Sequence, residues 1–222
     1  WRNMGDNENK GIEAALNWNI IKKQDYNVNF GINVGMNRNK VLSLGVMDDF
    51  GQATNWASTA IGNDFLIQVG QPLGQIQGYV SDGRYEVSDF DYNNGIYTLK
   101  AGVASNSTLV GTVRPGTMKL KDLNGDGKVD TNDQTIIGNT LPKATGGFNI
   151  SANVKNFDFS AAFNFSIGND IYNASKIEAN TATISSPDGQ FRNLSTMMAD
   201  GTRWTNIDPN TGAFITDPNA LA

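Results

Sequence analysis

Residues 122–133, DLNGDGKVDTND, have the spacing of a cation site. Numbered as a calcium loop, Asp122 is position 1, Asn124 position 3, Asp126 position 5, Lys128 position 7, Asp130 position 9 and Asp133 position 12. Side-chain oxygens stand at 1, 3, 5, 9 and 12, a backbone carbonyl at 7, and Gly127 at position 6 permits the sharp turn. Four carboxylates this close repel one another without a cation. Ca2+ in a structural role is therefore the expected ion. Position 12 is Asp instead of Glu, so its shorter arm is poorly suited to bidentate contact. The flanks are not those of an EF-hand. Residues 116–120 read as extended, and Gly138 and Pro142 cut any following helix to about a turn. The competing expectation is an Asx-rich turn held by its own side-chain hydrogen bonds.

Other reactive chemistry is thin. The chain of 222 residues contains no Cys and no His, which removes thiol nucleophiles, imidazole bases and the commonest zinc ligands. The Glu residues are Glu8, Glu13, Glu86 and Glu178, and no spacing nominates a carboxylate pair for glycoside hydrolysis. Asp158 and Asp170 lie on or beside a strand-like run without an obvious partner. No catalytic residue is assigned, and the chain reads as a non-enzyme. Its formal charge of -5 argues against nucleic acid held by phosphate contacts. Tyr79, Tyr85, Tyr92 and Tyr97 could stack on sugars, although hairpin packing is the commoner use of such residues. Sequons at Asn106, Asn173 and Asn193 are expected by chance in an Asn-rich chain, and Met197-Met198 reads as loop packing.

The elements that must hold the loop announce themselves by a two-residue beat. In YNVNFGINVGMN, residues 26–37, every even position is apolar (Tyr is counted so) and every odd one is Asn or Gly. Strict alternation means a strand between two different environments. Twelve residues at about 3.3 Å each span roughly 40 Å, or about 30 Å of height at a tilt near 40°. Upstream, Ile12, Ala14, Leu16, Trp18 and Ile20 alternate in the same way. A three-residue loop at 22–24 would pair Ile20 with Tyr26, Trp18 with Val28 and Leu16 with Phe30. A second hairpin follows at 147–168. Its parity flips across Lys155-Asn156, as a two-residue turn requires, and pairs Val154 with Phe157, Ala152 with Phe159 and Phe148 with Phe163.

Two architectures accommodate these hairpins. One is a soluble β-sandwich with a wet face: a secreted, calcium-stabilised β-domain binding carbohydrate or a protein partner. The other is a set of antiparallel strands of a large transmembrane β-barrel. Long strands, short turns at one end and very long connections at the other favour the barrel. So do Trp18, Tyr26 and Phe157 near the short turns, where an aromatic girdle belongs, and the uncharged Asn, Ser and Gly of the polar face. Residues 12–37 and 147–168 are then wall hairpins, 38–146 a long extracellular connection, and 169–222 a further outward loop. Within 38–146, residues 65–69, 75–80 and 96–99 look like short strands, and 92–96 reads as a hairpin turn. Any additional wall strands there must come in pairs.

Several segments resemble one family. RPGTMKLKDLNGDGKVDTNDQTIIGNTLPKATGGF (114–148) looks like a signature of the SusC/RagA-type TonB-linked outer-membrane proteins of Bacteroidetes. NKGIEAALNWNIIKK from Asn9, YNVNFGINVGMNRNKVLSL from Tyr26, QPLGQIQGYVSDGRYE (71–86), FDFSAAFNFSIGNDIYN (157–173) and RWTNIDPNT (203–211) are similar to that family in the same order. The resemblance implies an all-β fold, a 22-stranded barrel filled by an N-terminal plug, and a location in the bacterial outer membrane. It implies uptake of oligosaccharides or peptides, driven through TonB and assisted by a SusD-like lipoprotein, with outer-membrane lipid around the wall. The chain is expected to be a fragment of the C-terminal half of such a barrel, since it holds no plug-like segment and ends without an aromatic terminal strand.

Overall fold

The computed structural model describes residues 5–55 and 62–180, together with Thr196, Trp204, Thr211, Ala213, Phe214, Ile215 and Asp217. Twelve strands account for most of its regular structure. β1 (Asp6–Lys22), β2 (Tyr26–Ser43), β3 (Asp49–Gln52), β4 (Phe65–Gln68), β5 (Gln75–Gly78) and β6 (Ser81–Arg84) come first. They are followed by β7 (Phe90–Asn93), β8 (Ile96–Leu99), β9 (Met118–Leu120), β10 (Thr135–Asn139), β11 (Ala144–Val154) and β12 (Phe157–Ile167). Among the described residues no helix is long and apolar enough to cross a membrane. The chain divides into two compact units, one of residues 1–54, 62–76 and 138–172, the other of 55–61, 77–137 and 173–222. β5 and β10 contribute residues to both.

The first unit is built on a four-stranded antiparallel sheet in the order β1-β2-β11-β12. β2 pairs directly with β11, so the chain leaves the sheet after Ser43 and returns beside the same strand. Among the described residues no further strand enters this wall. Both short turns lie at one end and are tied together by the Lys155 N–H donating to the Asp25 carbonyl at 2.8 Å. Lys155 takes φ +54, the positive φ that a tight hairpin of matching twist requires.

Register sorts the side chains completely. Leu16, Ile32, Phe148 and Phe163 form one cross-strand row; Trp18, Phe30, Ile150 and Ala161 form the next. On the opposite face Asn17, Gly31, Asn149 and Ala162 share a row, as do Asn29, Ser151 and Ser160. The apolar face is open: Ile12 is 78%, Phe157 80% and Phe159 60% exposed. Its aromatic ladder runs from Phe30 to Phe148 (6.5 Å between centroids) and on to Phe163 (4.7 Å, stacked). Such pairs each add about 0.5–1.5 kcal/mol beyond area burial. Gly31 leaves room on the polar face for the Asn17 and Asn149 side chains, which a methyl there would push aside.

The second hairpin has the expected register, with Val154, Ala152 and Phe148 opposite Phe157, Phe159 and Phe163. The first does not. Leu16 faces Ile32, and Trp18 faces Phe30, two residues from the expected partners. A bulge between Asn19 and Ile21 leaves Ile20 unpaired and brings Ile21 opposite Val28. The Ile20-Ile21 doublet is its cause, since two consecutive apolar residues cannot both reach one face without an extra residue. The turn is not the expected 22–24 but Gln24-Asp25, closed by the Lys23–Tyr26 pair; this shifts the strands by three places, the bulge takes back one, and Trp18 stands four residues along from the Tyr26 row. The strands also outrun the expected bounds, since β1 and β2 extend past Gly11 and Asn37 and β11 begins at Ala144.

The apolar row has two ends. Between Tyr26 and Met36 it covers roughly 33 Å of strand, about 25 Å of height at a tilt near 40°, which is the apolar band of a membrane barrel. Beyond Met36 the same face continues as Arg38 and Lys40, opposite Lys10 and Glu8.

The rest of the first unit gathers at the long-connection end. β3, β4 and β5 pair antiparallel, and the turn after β4 adds to β2 through Gly70 and Gln71, which bond Val41 at 2.8 and 2.9 Å. Val41 and Ile76 are buried there. The second unit has its own core of Tyr85, Phe90, Leu120 and Val129. Around it lie the β6–β9 pair and the β7–β8 hairpin, whose turn at Asn94-Gly95 has φ +50 and +86.

The chain carries no native cysteine, so the bulged register can be tested by crosslinking. In the intact protein, Leu16→Cys with Ile32→Cys is expected to oxidise to a disulfide, since directly opposed residues lie within disulfide reach. Leu16→Cys with Phe30→Cys is expected to stay reduced. The reverse pattern on non-reducing gels would place the hairpin in the register of a three-residue loop at 22–24.

Candidate functional site

The 122–133 loop folds as a set of nested Asx turns in the second unit. Asp122 accepts the Gly125 N–H on Oδ1 at 2.6 Å and the Gly127 N–H on Oδ2 at 2.8 Å. Asn124 Oδ1 accepts from Asp126 N at 2.9 Å, and Asp126 Oδ1 from Lys128 N at 2.8 Å. Asp130 accepts the Asn132 N–H at 2.8 Å and caps the single 3-10 turn Thr131–Asp133, after which β10 begins. Gly125 and Gly127 take φ +77 and +83, so the two glycines supply the turns.

Asp133 behaves differently from the other candidate ligands. It is fully buried, and its two oxygens accept three backbone N–H groups: Leu123 at 2.8 Å, Asn124 at 3.3 Å and Asp130 at 2.9 Å. The N–H of Asp130, with those of Leu123 and Asn124, holds its carboxyl below the usual range against the opposing effect of burial. Three of about four lone-pair positions are thereby used. Asp133 does not fit the role of a bidentate twelfth ligand; it staples the loop's two ends. Asp122, Asn124, Asp126 and Asp130 face outward with lone pairs to spare, and Lys128 adds its carbonyl. No three acidic side chains among the described residues are grouped to hold a metal ion.

The loop is fastened to the core beside it. Val129 is fully buried, its N–H bonds the Ser105 carbonyl at 2.9 Å, and its own carbonyl accepts the Thr108 hydroxyl at 2.7 Å. The Tyr85 hydroxyl donates to the Ala104 carbonyl at 2.7 Å and accepts the Asn106 N–H at 3.1 Å. Burial raises the Tyr85 pKa above the ordinary phenol value. Asn106, also fully buried, donates to the Met118 carbonyl at 2.8 Å, so its sequon is spent on packing.

The remaining candidates find ordinary partners. Tyr85 is core, and Tyr92 and Tyr97 pack across the β7–β8 hairpin at 4.8 Å between centroids, with Phe90 5.9 Å from Tyr97. Asp158 accepts the Asn153 side-chain amide at 2.5 Å, and Asp170 accepts the Asn139 N–H at 2.8 Å. The sequon at Asn193 and Met197-Met198 lie outside the described residues. One buried carboxylate carried no sequence signal. Asp64, in the first unit, accepts the Thr54 N–H at 2.8 Å and the Thr54 hydroxyl. Burial alone would raise its pKa, but the hydrogen bonds from Thr54 and Tyr172 outweigh it and the value falls below the ordinary one.

The amino-acid sequence has counterparts among known proteins. No family model matches the chain. TonB-dependent receptor P3 of Formosa agariphila is 30% identical over 190 residues, 83% of this chain and 17% of the receptor. TonB-dependent receptor P39 of the same organism is 31% identical over 193 residues, 77% of this chain and 18% of that one. The chain belongs to the TonB-dependent receptors. SusC of Bacteroides thetaiotaomicron, also a TonB-dependent receptor, is 25% identical over 77% of this chain. Among solved structures, the RagAB peptide transporter aligns with a TM-score of 0.48 and 17% identity, covering 74% of this chain and 15% of that one. The chain spans less than a fifth of the length of these curated receptors. As TonB-dependent receptor sequence it resides in the bacterial outer membrane, and its open apolar face has hydrocarbon to meet.

The staple at Asp133 makes a signed prediction. Its folded pKa is depressed, so its contribution to stability is fully present above the unfolded value of 3.8 and disappears as pH falls through the lower folded value. Asp133→Ala in the receptor is expected to speed amide exchange at Leu123, Asn124 and Asp130 by roughly tenfold or more. Unchanged exchange at those amides would remove the staple.

Proposed function

We propose that the chain forms part of the wall and outward loops of an active transporter that imports oligosaccharide or peptide across the outer membrane. Energy arrives through TonB, and a SusD-like lipoprotein assists capture outside. Cargo passes without covalent change. The observation that carries this reading is the wall itself: an exposed apolar band about 25 Å tall on one face, backed on the other by a mostly uncharged face of Asn, Ser, Gly and Ala that also holds Glu13 and Asp158. Hydrated sugars and peptides carry many amide and hydroxyl groups. A neutral face of Asn17, Asn29, Asn149, Ser151 and Ser160 offers them donors and acceptors without the tight grip of full charges. β2 leaves the wall and β11 re-enters it at the same end, so residues 44–54 and 62–76 of the first unit lie on the side from which cargo arrives. The soluble sandwich would need a second layer over the apolar rows, and among the described residues of the first unit none covers them.

Calcium in the 122–133 loop belongs to the same reading. Asp122, Asn124, Asp126 and Asp130, with the Lys128 carbonyl, would be its ligands once the ion drew them together, and Asp133 would act behind them as the staple. The ion would draw together carboxylates that otherwise repel and so stiffen an exposed loop. Chelation is expected to lower the melting temperature of the receptor, and Asp126→Ala to abolish that response. A chelator without effect on the wild-type protein would remove the ion and leave the transport reading intact.

The wall assignment has its own test. Ile32→Arg, mid-way along the apolar band, is expected to cost roughly 2–4 kcal/mol in the full-length barrel, whereas Ser160→Arg, on the opposite face, is expected to cost about zero. Denaturant unfolding in lipid measures both, and equal costs would mean that the apolar row does not face lipid.

A further inference from the structure

The end of the apolar band carries a second site. Ile12 pairs with Met36, the next pair on that face is Lys10 with Arg38, and the next is Glu8 with Lys40, with no bulge between them. Three cations and one carboxylate therefore stand directly beyond the last apolar pair, on a chain whose formal charge is -5. Glu8 is taken by Lys10. Among the described residues Arg38 and Lys40 form no ion pair. A cavity of about 520 Å³ opens here, lined by Ile12, Met36, Arg38, Lys40 and Pro72 among others. Gly70 also lines it, in the turn that hydrogen-bonds to β2 at Val41.

The geometry points to a binding site for the phosphorylated headgroup of an outer-leaflet lipid. This rests on the outer-membrane transporter reading, which orients the long connection outward. The acyl chains lie along Leu16, Ile12 and Met36. The headgroup enters the cavity, where the Arg38 guanidinium takes the phosphate with two parallel N–H bonds and Lys40 adds a point charge. Both side chains run their aliphatic stems over the apolar floor while the charged ends stay at headgroup level. Charge complementarity favours an anion, and continuity of the cavity floor with the apolar band favours one that carries hydrocarbon. A free phosphate would have no use for Ile12, Met36 or Pro72.

The test titrates the detergent-solubilised full-length receptor with bis-phosphorylated lipid A and with enzymatically dephosphorylated lipid A, reading occupancy by native mass spectrometry. The wild-type receptor is expected to retain lipid A. Arg38→Gln with Lys40→Gln should lower occupancy on the order of tenfold. The charge-preserving pair Arg38→Lys with Lys40→Arg should lose less occupancy than the Gln pair, and Lys22→Gln with Lys23→Gln, at the short-turn end, should leave it unchanged. Equal occupancy in the Gln variant, equal binding of dephosphorylated lipid A, or complete displacement by millimolar inorganic phosphate would overturn the site. Heat-modifiable migration on gels confirms that each variant is folded. Failure of the wild-type receptor to fractionate with the outer membrane would instead overturn the transporter reading, whatever the lipid occupancy.

Discussion

A strand sends successive side chains to opposite faces, and the wall of this protein leaves no freedom in how that rule is applied. β2 lies between β1 and β11, so its backbone hydrogen bonds are committed on both edges. A slip of one residue would carry Phe30, Ile32 and Val34 to the polar side and expose the backbone of the partner strands to the wrong register. The two irregularities of the β1–β2 pair lie outside most of the band: the bulge at Ile20 close to the short turns, and a shift between Asp6 and Asn7 at the far end. The first reorients Ile21 without disturbing the rows above. Everything else hangs from this sorting. The band has a height because the row is uninterrupted from Tyr26 to Met36, and no Lys, Arg or Glu falls on the opposite parity within that span of β2.

That sorting was legible in the residues because it is local. Parity needs only neighbours two apart, and the flip across Lys155-Asn156 fixed every pair of the second hairpin. The first hairpin went wrong by two residues for an equally local reason. Its turn is the two-residue Gln24-Asp25, closed by Lys23 and Tyr26, instead of 22–24, which shifts the strands by three places, and the bulge at the Ile20-Ile21 doublet takes back one. The partnership of β2 with β11 was not legible at all. It joins segments a hundred or so residues apart, and nothing in either strand names its outer neighbour. The strand ends were also understated, because Arg38 and Lys40 break the apolar pattern while keeping the hydrogen-bond ladder with Lys10 and Glu8 intact.

The loop shows a different limit. Position counting identified every oxygen in 122–133 correctly by type, yet it could not say which way each one turns. Asp133 shares its chemistry with Asp122 and Asp126 but is fully buried, because Val129 and Leu120 draw that end of the loop onto the core. A carboxylate carried inward must be met by donors, and three N–H groups of its own loop supply them. Asp64 makes the same point more sharply. A lone Asp after Asn63 has no motif, and only the folded chain brings Thr54 to it.

The two faces of the wall finally explain why the outward connection needs a core of its own. A barrel strand cannot donate apolar surface to the loops, since its apolar side is turned toward lipid and its polar side toward the bore. Residues 77–137 therefore bury Tyr85, Phe90, Leu120 and Val129 among themselves. The Tyr85 hydroxyl, the Val129 backbone and the Asn106 amide N–H groups find partners inside the same unit, at Ala104, Ser105, Thr108 and Met118. A structured connection of this kind loses little further entropy on meeting cargo or a partner, whereas a bare loop of equal length would have to be ordered at each encounter.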